Sequence, residues 1–451
     1  MNYNEAIAYL SEIEMLGSVL GLEAITELLK RLGNPQDQLR FVHVGGTNGK
    51  GSTSSFTANA LAFAGYRVGR YLSPVLLDYC EKIQVIKRSE TAFERTQFEE
   101  LSIMQQTAQF EEQWITQSAV AEYITAIRKV CEGMVAEGLP QPTIFEVETA
   151  MAFLEYVRQG CDIVVLEVGL GGRLDATNVI STVECSVITS ISMDHMQYLG
   201  ETIEQIATEK AGIIKPNSMV VTYEQLPSVE QVLKTAASRT GAKFISADFT
   251  KLKLISESLD GSVFEYKGSV YQIGLLGAHQ VKNAAVAIEC VQALKSLGYQ
   301  IPLEAIQLAL KQTTWFGRMT VVSKEPTIIL DGAHNEDAAR TLSESLGRYF
   351  GNRKATLVMG VFADKQYQMI LKHMLPLANR VFVFAPKNSR ALQANLLKEE
   401  VEVQAKSLNL TLSQLEAASS AVEALDKAKE MVLENEYIVC FGSLSFLHEL
   451  I

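Results

Sequence analysis

The chain has 451 residues and a formal charge of −12, from 40 Lys and Arg against 52 Asp and Glu. Hydrophobic residues make up 47% and charged residues 20%, which excludes a disordered chain and predicts two or three globular domains. The acidic balance argues against a nucleic-acid partner, and an anionic ligand would need a locally positive site.

The first 35 residues read as helical, with Ile25, Leu28, Leu29 and Leu32 at helical spacing and Asn34-Pro35 as the stop. Phe41 to Val44 is a short apolar strand. A glycine-rich turn follows, then a helix from about Ser52 to Ala64 closed by Gly65, and a returning strand from Arg67 to Leu72. That βαβ pattern predicts a parallel sheet. Thr91 to Leu139 reads as mostly helical and polar. Apolar strands are predicted from Asp162 to Val168, from Ser186 to Ile191 and from Met219 to Thr222. Thr202 and Gln205 have capping-box spacing for a helix ending near Gly212. Asp260-Gly261 marks a hairpin between Phe244 and Ile273, and Asn283 opens an alanine-rich helix. Trp315-Phe316-Gly317-Arg318 is a candidate hinge. Beyond it, strands from Thr327, Thr356, Arg380 and Tyr437 alternate with helices. The expected fold is α/β: a P-loop-containing ATPase-type domain with a mostly parallel sheet over residues 1–318, and a smaller Rossmann-like domain over 319–451.

The N-terminus carries acids rather than the basic-then-apolar pattern of a signal peptide, and no apolar run approaches the roughly 18–20 residues of a membrane span. Six scattered cysteines, without a C-x-x-C pair, predict reduced and mostly buried thiols. A cytoplasmic protein without a membrane partner is expected.

The strongest chemical signal is Gly45-Gly46-Thr47-Asn48-Gly49-Lys50-Gly51-Ser52-Thr53, between a strand and a helix. Glycines let backbone N–H groups approach phosphate oxygens, the helix N-terminus adds partial positive charge, and lysine neutralises the outer phosphates. The usual nucleotide loop is matched imperfectly: Val44 stands where its first glycine falls, and Gly51 stands where its Ser or Thr follows the lysine. Glu167 sits at the carboxyl end of an apolar strand, followed by Gly169, Gly171 and Gly172. It suits Mg²⁺, which takes oxygen ligands and keeps waters, or it simply faces solvent. His195, in Met193-Asp194-His195, is a metal or substrate ligand or a core histidine. Lys210 falls late in its helix, where a cation favourably meets the helix C-terminus. Asp331 and His334, in Asp331-Gly332-Ala333-His334-Asn335, suit a ribose and a base, or form a capped glycine turn. Arg318 has the planar fork that binds phosphate.

Taken together and in order, the segments LGNPQ, HVGGTNGKGST, LSP with EKIQV, FEVETAMAF, LEVGLGGRLDATNV, ITSISMDH, KAGIIKP, LLGAHQVKNAAVA, WFGR, DGAHN and FGSLSFL resemble the folylpolyglutamate synthase and dihydrofolate synthase family of the Mur ligase superfamily. The resemblance implies an ATP-dependent ligase that phosphorylates a folate-type carboxylate, from folate or dihydropteroate. L-glutamate then attacks the acyl phosphate. It further implies that Gly46, Thr47, Asn48, Gly49, Lys50, Gly51, Ser52 and Thr53 hold the ATP phosphates, and that Ser73, Glu167 and His195 hold Mg²⁺. Lys210 matches the lysine that becomes carbamylated. Lys50, Glu167, His195 and Lys210 are thus the catalytic set. Asn283, Arg318 and Asp331 match nucleotide-contacting positions with His334 beside them, and Asp364, Lys365 and Ser443 are expected near the glutamate or nucleotide site. A monomer is expected. Val75 stands where the family commonly has histidine, which removes a side-chain hydrogen bond near Ser73. The polar region from Thr91 to Pro140 is expected to help shape the folate pocket. The competing readings are a Mur-type ligase acting on a cell-wall precursor and a non-ligase P-loop nucleotide-binding protein.

Overall fold

The computed structural model describes residues 1–15, 17, 21–73, 75, 78–88 and 110–451. Pro74 and Leu76 of the LSP segment, and 91–109 of the polar region, lie outside the described residues.

The chain divides into two compact units. The first comprises Met1–Lys253, Glu265–Tyr271 and Lys282–Thr313; the second comprises Leu254–Phe264, Gln272–Val281 and Thr314–Ile451.

In the first unit, apolar runs buried on both faces form a sheet that helices cover. Its strands are β1 (Phe41–Gly45), β2 (Val68–Tyr71), β3 (Ile83–Arg88), β4 (Phe110–Trp114), β5 (Ile163–Glu167), β6 (Val183–Ile188), β7 (Met219–Thr222) and β8 (Lys243–Ser246). Their spatial order is β4-β3-β2-β5-β1-β6-β7-β8. From β2 to β8 every pairing is parallel; β3 and β4 join antiparallel at one edge. The helix Lys50–Phe63 crosses from β1 to β2, but β5 lies between them. The expected βαβ unit therefore spans an inserted strand. One face of the sheet packs Phe41, Tyr71 and Leu166 against Met151, Phe153 and Tyr156 of the helix Ile144–Arg158. Phe41 and Phe153 meet edge to face at 5.6 Å. Towards β7, Ile188 and Val220 pack with Ile206, Ile213 and Leu233.

Residues 252–273 form β9 (Leu252–Ser258), β10 (Gly261–Tyr266) and β11 (Ser269–Ile273), in the order β11-β10-β9, with a turn at Leu259-Asp260, one residue before the expected Asp260-Gly261. The second unit's larger sheet has β12 (Thr320–Lys324), β13 (Thr327–Leu330), β14 (Ala355–Met359), β15 (Ala378–Val383), β16 (Gln414–Ala417) and β17 (Tyr437–Phe441). Its order is β12-β13-β17-β14-β15-β16, parallel except for the edge strand β12. Leu342, Leu357, Leu371, Val383 and Phe441 fill its core, and Phe350 stacks on Tyr437 at 3.8 Å.

Four boundaries differ from expectation. The helix after the glycine loop begins at Lys50, two residues early, because Gly49 adopts a left-handed φ of 87° and turns the chain at its N-cap. The alanine-rich helix begins at Ala278, so Asn283 lies inside it. The polar region contains the strand β4 before the helix Gln117–Ala136, because Phe110–Trp114 pairs with β3. Gln414–Ala417 alternates over only four residues and is half-buried throughout, yet it completes the second sheet against β15.

The capping box at Thr202 and Gln205 forms as predicted, and it starts the helix Ile203–Ala211 that carries Lys210. Thr202→Ala should cost about 0.5–2 kcal/mol of local stability. Hydrogen exchange should show roughly 2- to 30-fold faster amide exchange confined to residues 203–211; unchanged protection would show that tertiary packing alone starts this helix.

Candidate active site

Parallel strands end on the same side of a sheet, so loops leaving neighbouring strands meet. The central order β2-β5-β1-β6 places four such loops side by side in the first unit. Ser73 follows β2, Glu167 ends β5, the glycine loop leaves β1 at Gly45, and His195 lies beyond β6. The register pairs Tyr71 with Leu166, Val44 with Glu167, and Gly45 with Ile188. Residues from Gly45 to His195, far apart in sequence, thus converge on one edge.

The glycine loop is braced by the segment after β6. Thr47 N–H donates to the Ser190 carbonyl at 2.7 Å, Thr47 Oγ1 bonds both the carbonyl and the N–H of Ser192 at 3.1 Å, and Ser190 Oγ donates to the Asn48 carbonyl at 3.1 Å. Gly46 has φ 143°, and a Cβ there would lie 1.9 Å from Thr189 Oγ1. A Cβ on Gly49 would lie 2.6 Å from Asn283 Oδ1, so the buried Asn283 side chain packs directly on the loop. Lys50 Nζ folds back to the carbonyls of Gly46 at 3.3 Å and Thr47 at 3.2 Å. Gly51 lies in the first helical turn, Ser52 and Thr53 are buried beside it, and Thr53 Oγ1 has no hydrogen-bond partner. The early helical N–H groups and an orphan hydroxyl are the groups that an anion satisfies.

Lys210 does not interact with its own helix end. Its side chain is buried, with the residue only 3% exposed, and Nζ donates to the Gly46 carbonyl at 2.8 Å. Burial, followed by the nearby Lys50 charge, lowers its pKa to about 7, while Asp194 and Asp175 pull the other way. Glu167, 5% exposed, does not face solvent. His195 is no core histidine: its side chain is 41% exposed, and it sits at a left-handed φ of 49° with its N–H on Asp194 Oδ1. Among the described residues, no group of three or more His, Cys, Asp or Glu gathers around a metal position. The acid at this edge, Glu167, lies beside the strand that leads to the Ser73 hydroxyl. Such a sparse oxygen set suits a cation that retains waters, as Mg²⁺ does, and not a fully caged zinc.

In the second unit, Asp331 uses both carboxylate oxygens on the turn: Oδ2 accepts from Met319 N–H and Oδ1 from Ala333 N–H, each at 2.8 Å. Burial raises its pKa against the opposing Arg318 charge. His334 Nδ1 lies 2.8 Å from the Gly332 carbonyl, and Asn335 caps the helix Glu336–Phe350. The capped glycine turn is therefore built. His279, not singled out from the sequence, belongs to this unit. Its Nδ1 is buried without a partner, and burial with the Arg318 charge lowers its pKa to about 4. Asp364 is paired with Arg390, and Ser443 Oγ lies 2.9 Å from Ser445 Oγ.

Residues 116–291 match the Mur ligase middle domain, and residues 317–444 match the Mur ligase glutamate ligase domain. The chain is 32% identical over 458 aligned residues to a dihydrofolate synthase/folylpolyglutamate synthase of Bacillus subtilis, covering 99% of this chain and 98% of that protein. The chain belongs to the dihydrofolate synthase/folylpolyglutamate synthase family. Its fold matches the crystal structure of folylpolyglutamate synthase from Thermotoga maritima with a TM-score of 0.80 at 32% identity, over 99% of this chain and 95% of that one. It also matches the Mycobacterium tuberculosis folylpolyglutamate synthase complexed with ADP and AMPPCP, with a TM-score of 0.82 at 29% identity, over 99% and 98%. The α/β architecture with two mostly parallel sheets is thus that of the family.

The braces Thr189, Ser190 and Ser192 were not singled out from the sequence. Their signal was available as a run of hydroxyl residues just past an apolar strand.

Gly46→Ala combines a Thr189 clash with a positive φ, a strain of about 1–3 kcal/mol. Calorimetric titration should show ADP binding weakened by roughly 5- to 150-fold. Unchanged affinity in a folded variant would mean that this loop geometry does not position phosphate.

Proposed function

We propose that this member of the family joins L-glutamate to a folate-type carboxylate, using ATP, with dihydropteroate, a reduced folate or both as acceptor. The convergence of the glycine loop, Glu167 and buried Lys210 on one sheet edge carries this reading. A carboxylate oxygen of the acceptor attacks the γ-phosphorus and ADP leaves. The amine of glutamate then attacks the acyl carbon, phosphate leaves, and the nitrogen loses a proton to give the amide. Phosphoryl transfer of this kind needs positioned charge rather than covalent help from the protein.

Gly46, Thr47, Asn48, Gly49, Gly51, Ser52 and Thr53 cradle the phosphates, and Lys50 neutralises the outer ones. Ser73, Glu167 and His195 would hold Mg²⁺, which would supply neutralising charge to the phosphate oxygens. Asn283, Arg318, Asp331 and His334 contact the nucleotide. The first unit binds ATP and folate; the second serves glutamate and ATP. The protein works as a cytoplasmic monomer. Its six cysteines are free and buried, and among the described residues no helix is long and apolar enough to cross a membrane.

Lys210 is carbamylated in this reading. Its neutral amine attacks the carbon of CO₂ and loses a proton, leaving an N-carboxylate. The buried site supports this because a pKa of about 7 makes the neutral amine available near neutrality.

With Mg-ATP and glutamate, phosphate release and mass spectrometry should show a product one glutamyl unit heavier, from dihydropteroate, tetrahydrofolate or both. Lys50→Ala should abolish it in a folded protein. Turnover with neither acceptor by a folded, ATP-binding protein would move the assignment to another Mur-type substrate.

For unmodified Lys210 the folded pKa lies below its ordinary 10.5. Burial of the ammonium costs stability in full below about pH 7, and that cost is relieved as pH rises towards 10.5. At fixed dissolved CO₂, the ¹³C carbamate signal should increase as pH rises through about 7. Lys210→Ala should remove that signal and most activity without lowering the melting temperature at pH 7; lost stability with retained activity would overturn the carbamate role.

A further inference from the structure

We infer that His43 is a positioning residue that holds the loop 169–178, and through it Lys210, in place by donating from Nε2 to Thr177. This inference rests on the ligase reading above only for its kinetic consequence.

His43 lies in the middle of β1, two residues before Gly45, and is fully buried. Its Nε2 is 2.9 Å from Thr177 Oγ1. Thr177 has a single hydroxyl proton, and its Oγ1 donates to Asp175 Oδ1. That carboxylate oxygen also accepts from Thr177 N–H at 3.0 Å, while Oδ2 accepts from Leu170 N–H at 2.8 Å. A carboxylate is the stronger acceptor, so the threonine proton belongs to Asp175. Thr177 must then accept from His43, which places the histidine proton on Nε2. His43 Nδ1 is buried with no partner. The opposite tautomer would bury an unpaired N–H there, so both ends of the ring favour the same assignment. Burial keeps the ring neutral, reinforced by the Lys215 charge, with a pKa lowered to about 3.

The loop that Asp175 organises is the one leading from Glu167 to the Lys210 helix contact. Arg173 N–H donates to the Glu209 carbonyl at 2.8 Å, and Asn178 Nδ2 donates to the Gly212 carbonyl at 3.1 Å. A Cβ on Gly172 would lie 2.8 Å from the Glu209 carbonyl oxygen and 3.1 Å from Lys210 Cα. Lys210 Nζ then returns to the carbonyl of Gly46, the residue after β1. His43, Thr177, Asp175, the glycine turn, the Lys210 helix and Gly46 therefore close a ring that begins and ends on one strand. A neutral side chain of the wrong shape at position 43 would release the loop on which Lys210 rests.

Three measurements test this on the full-length protein. Nitrogen-15 NMR of histidine-labelled protein should show His43 as the Nε2–H tautomer; an Nδ1–H or doubly protonated ring overturns the proposal. His43→Leu should lower kcat by roughly 10- to 100-fold, the usual cost of losing a partner that orients a working group, with a smaller change in KM for ATP. His43→Gln, whose terminal N–H₂ reaches to a similar place, should recover most of that loss. Equal impairment of both variants would mean that His43 serves packing alone. Thr177→Val is the alternative where His43→Leu fails to fold. It should reproduce the kcat loss while leaving ATP affinity nearly unchanged, and wild-type kcat in Thr177→Val would overturn the proposal. Wild-type protein without glutamate ligation would sink the assigned reaction but leave the tautomer assignment standing.

Discussion

The ammonium of Lys210 donates to the Gly46 carbonyl inside the protein, and the surrounding site depends on that contact. It ties the helix after β6 to the loop after β1, and it buries a cation that Asp194 and Asp175 only partly offset. Burial and Lys50 both disfavour that charge. A fully paired lysine would be inert; this one lies near its neutral form, which is the chemical precondition for reaction with CO₂. The same placement puts two lysine side chains on a single carbonyl, Gly46, so the loop gathers positive charge in a chain whose net charge is negative. Local field, and not overall balance, decides what the edge attracts.

Sheet topology explains why the residues meet. A loop between β1 and the next helix supplies backbone donors, but a carboxylate and a hydroxyl must come from elsewhere. Inserting β5 between β1 and β2 puts Glu167 directly beside the loop and the chain to Ser73 one strand further. β6, on the other flank, supplies the Thr189–Ser192 brace and His195. Glu167 stands on the last residue of a buried strand, which fixes it more rigidly than a free loop could, whereas Ser73 and His195 lie on the segments that follow β2 and β6. Two positive-φ positions, Gly46 and the non-glycine His195, lie at this edge.

Much of this was legible in the order of residues. The glycine loop, the acid at the end of an apolar strand and the Thr202–Gln205 box are local patterns, and local patterns need only hydrogen-bonding geometry and periodicity to be read. Lys210 was different. Its position late in a helix pointed by itself to the helix C-terminus, and only the family resemblance assigned it a modified role. Asp331 shows the reverse: the turn-capping reading was correct locally, since both oxygens hold backbone N–H groups. His43 and Asp175 gave no signal of partnership, because 132 positions separate them. The edge strand β16 was missed because its alternation covers only four half-buried residues and includes no continuous apolar run.

The sequence by itself determined the α/β class, the strands that are apolar on both faces, the phosphate-type loop and the family, because these follow from short-range pattern and from ordered motifs. The tertiary structure decided which strand lies next to which, that Lys210 points at Gly46, that Glu167 is buried, and that a histidine beneath the loop meets a threonine from the neighbouring turn. Those outcomes depend on long-range packing and desolvation, which no local window of residues contains.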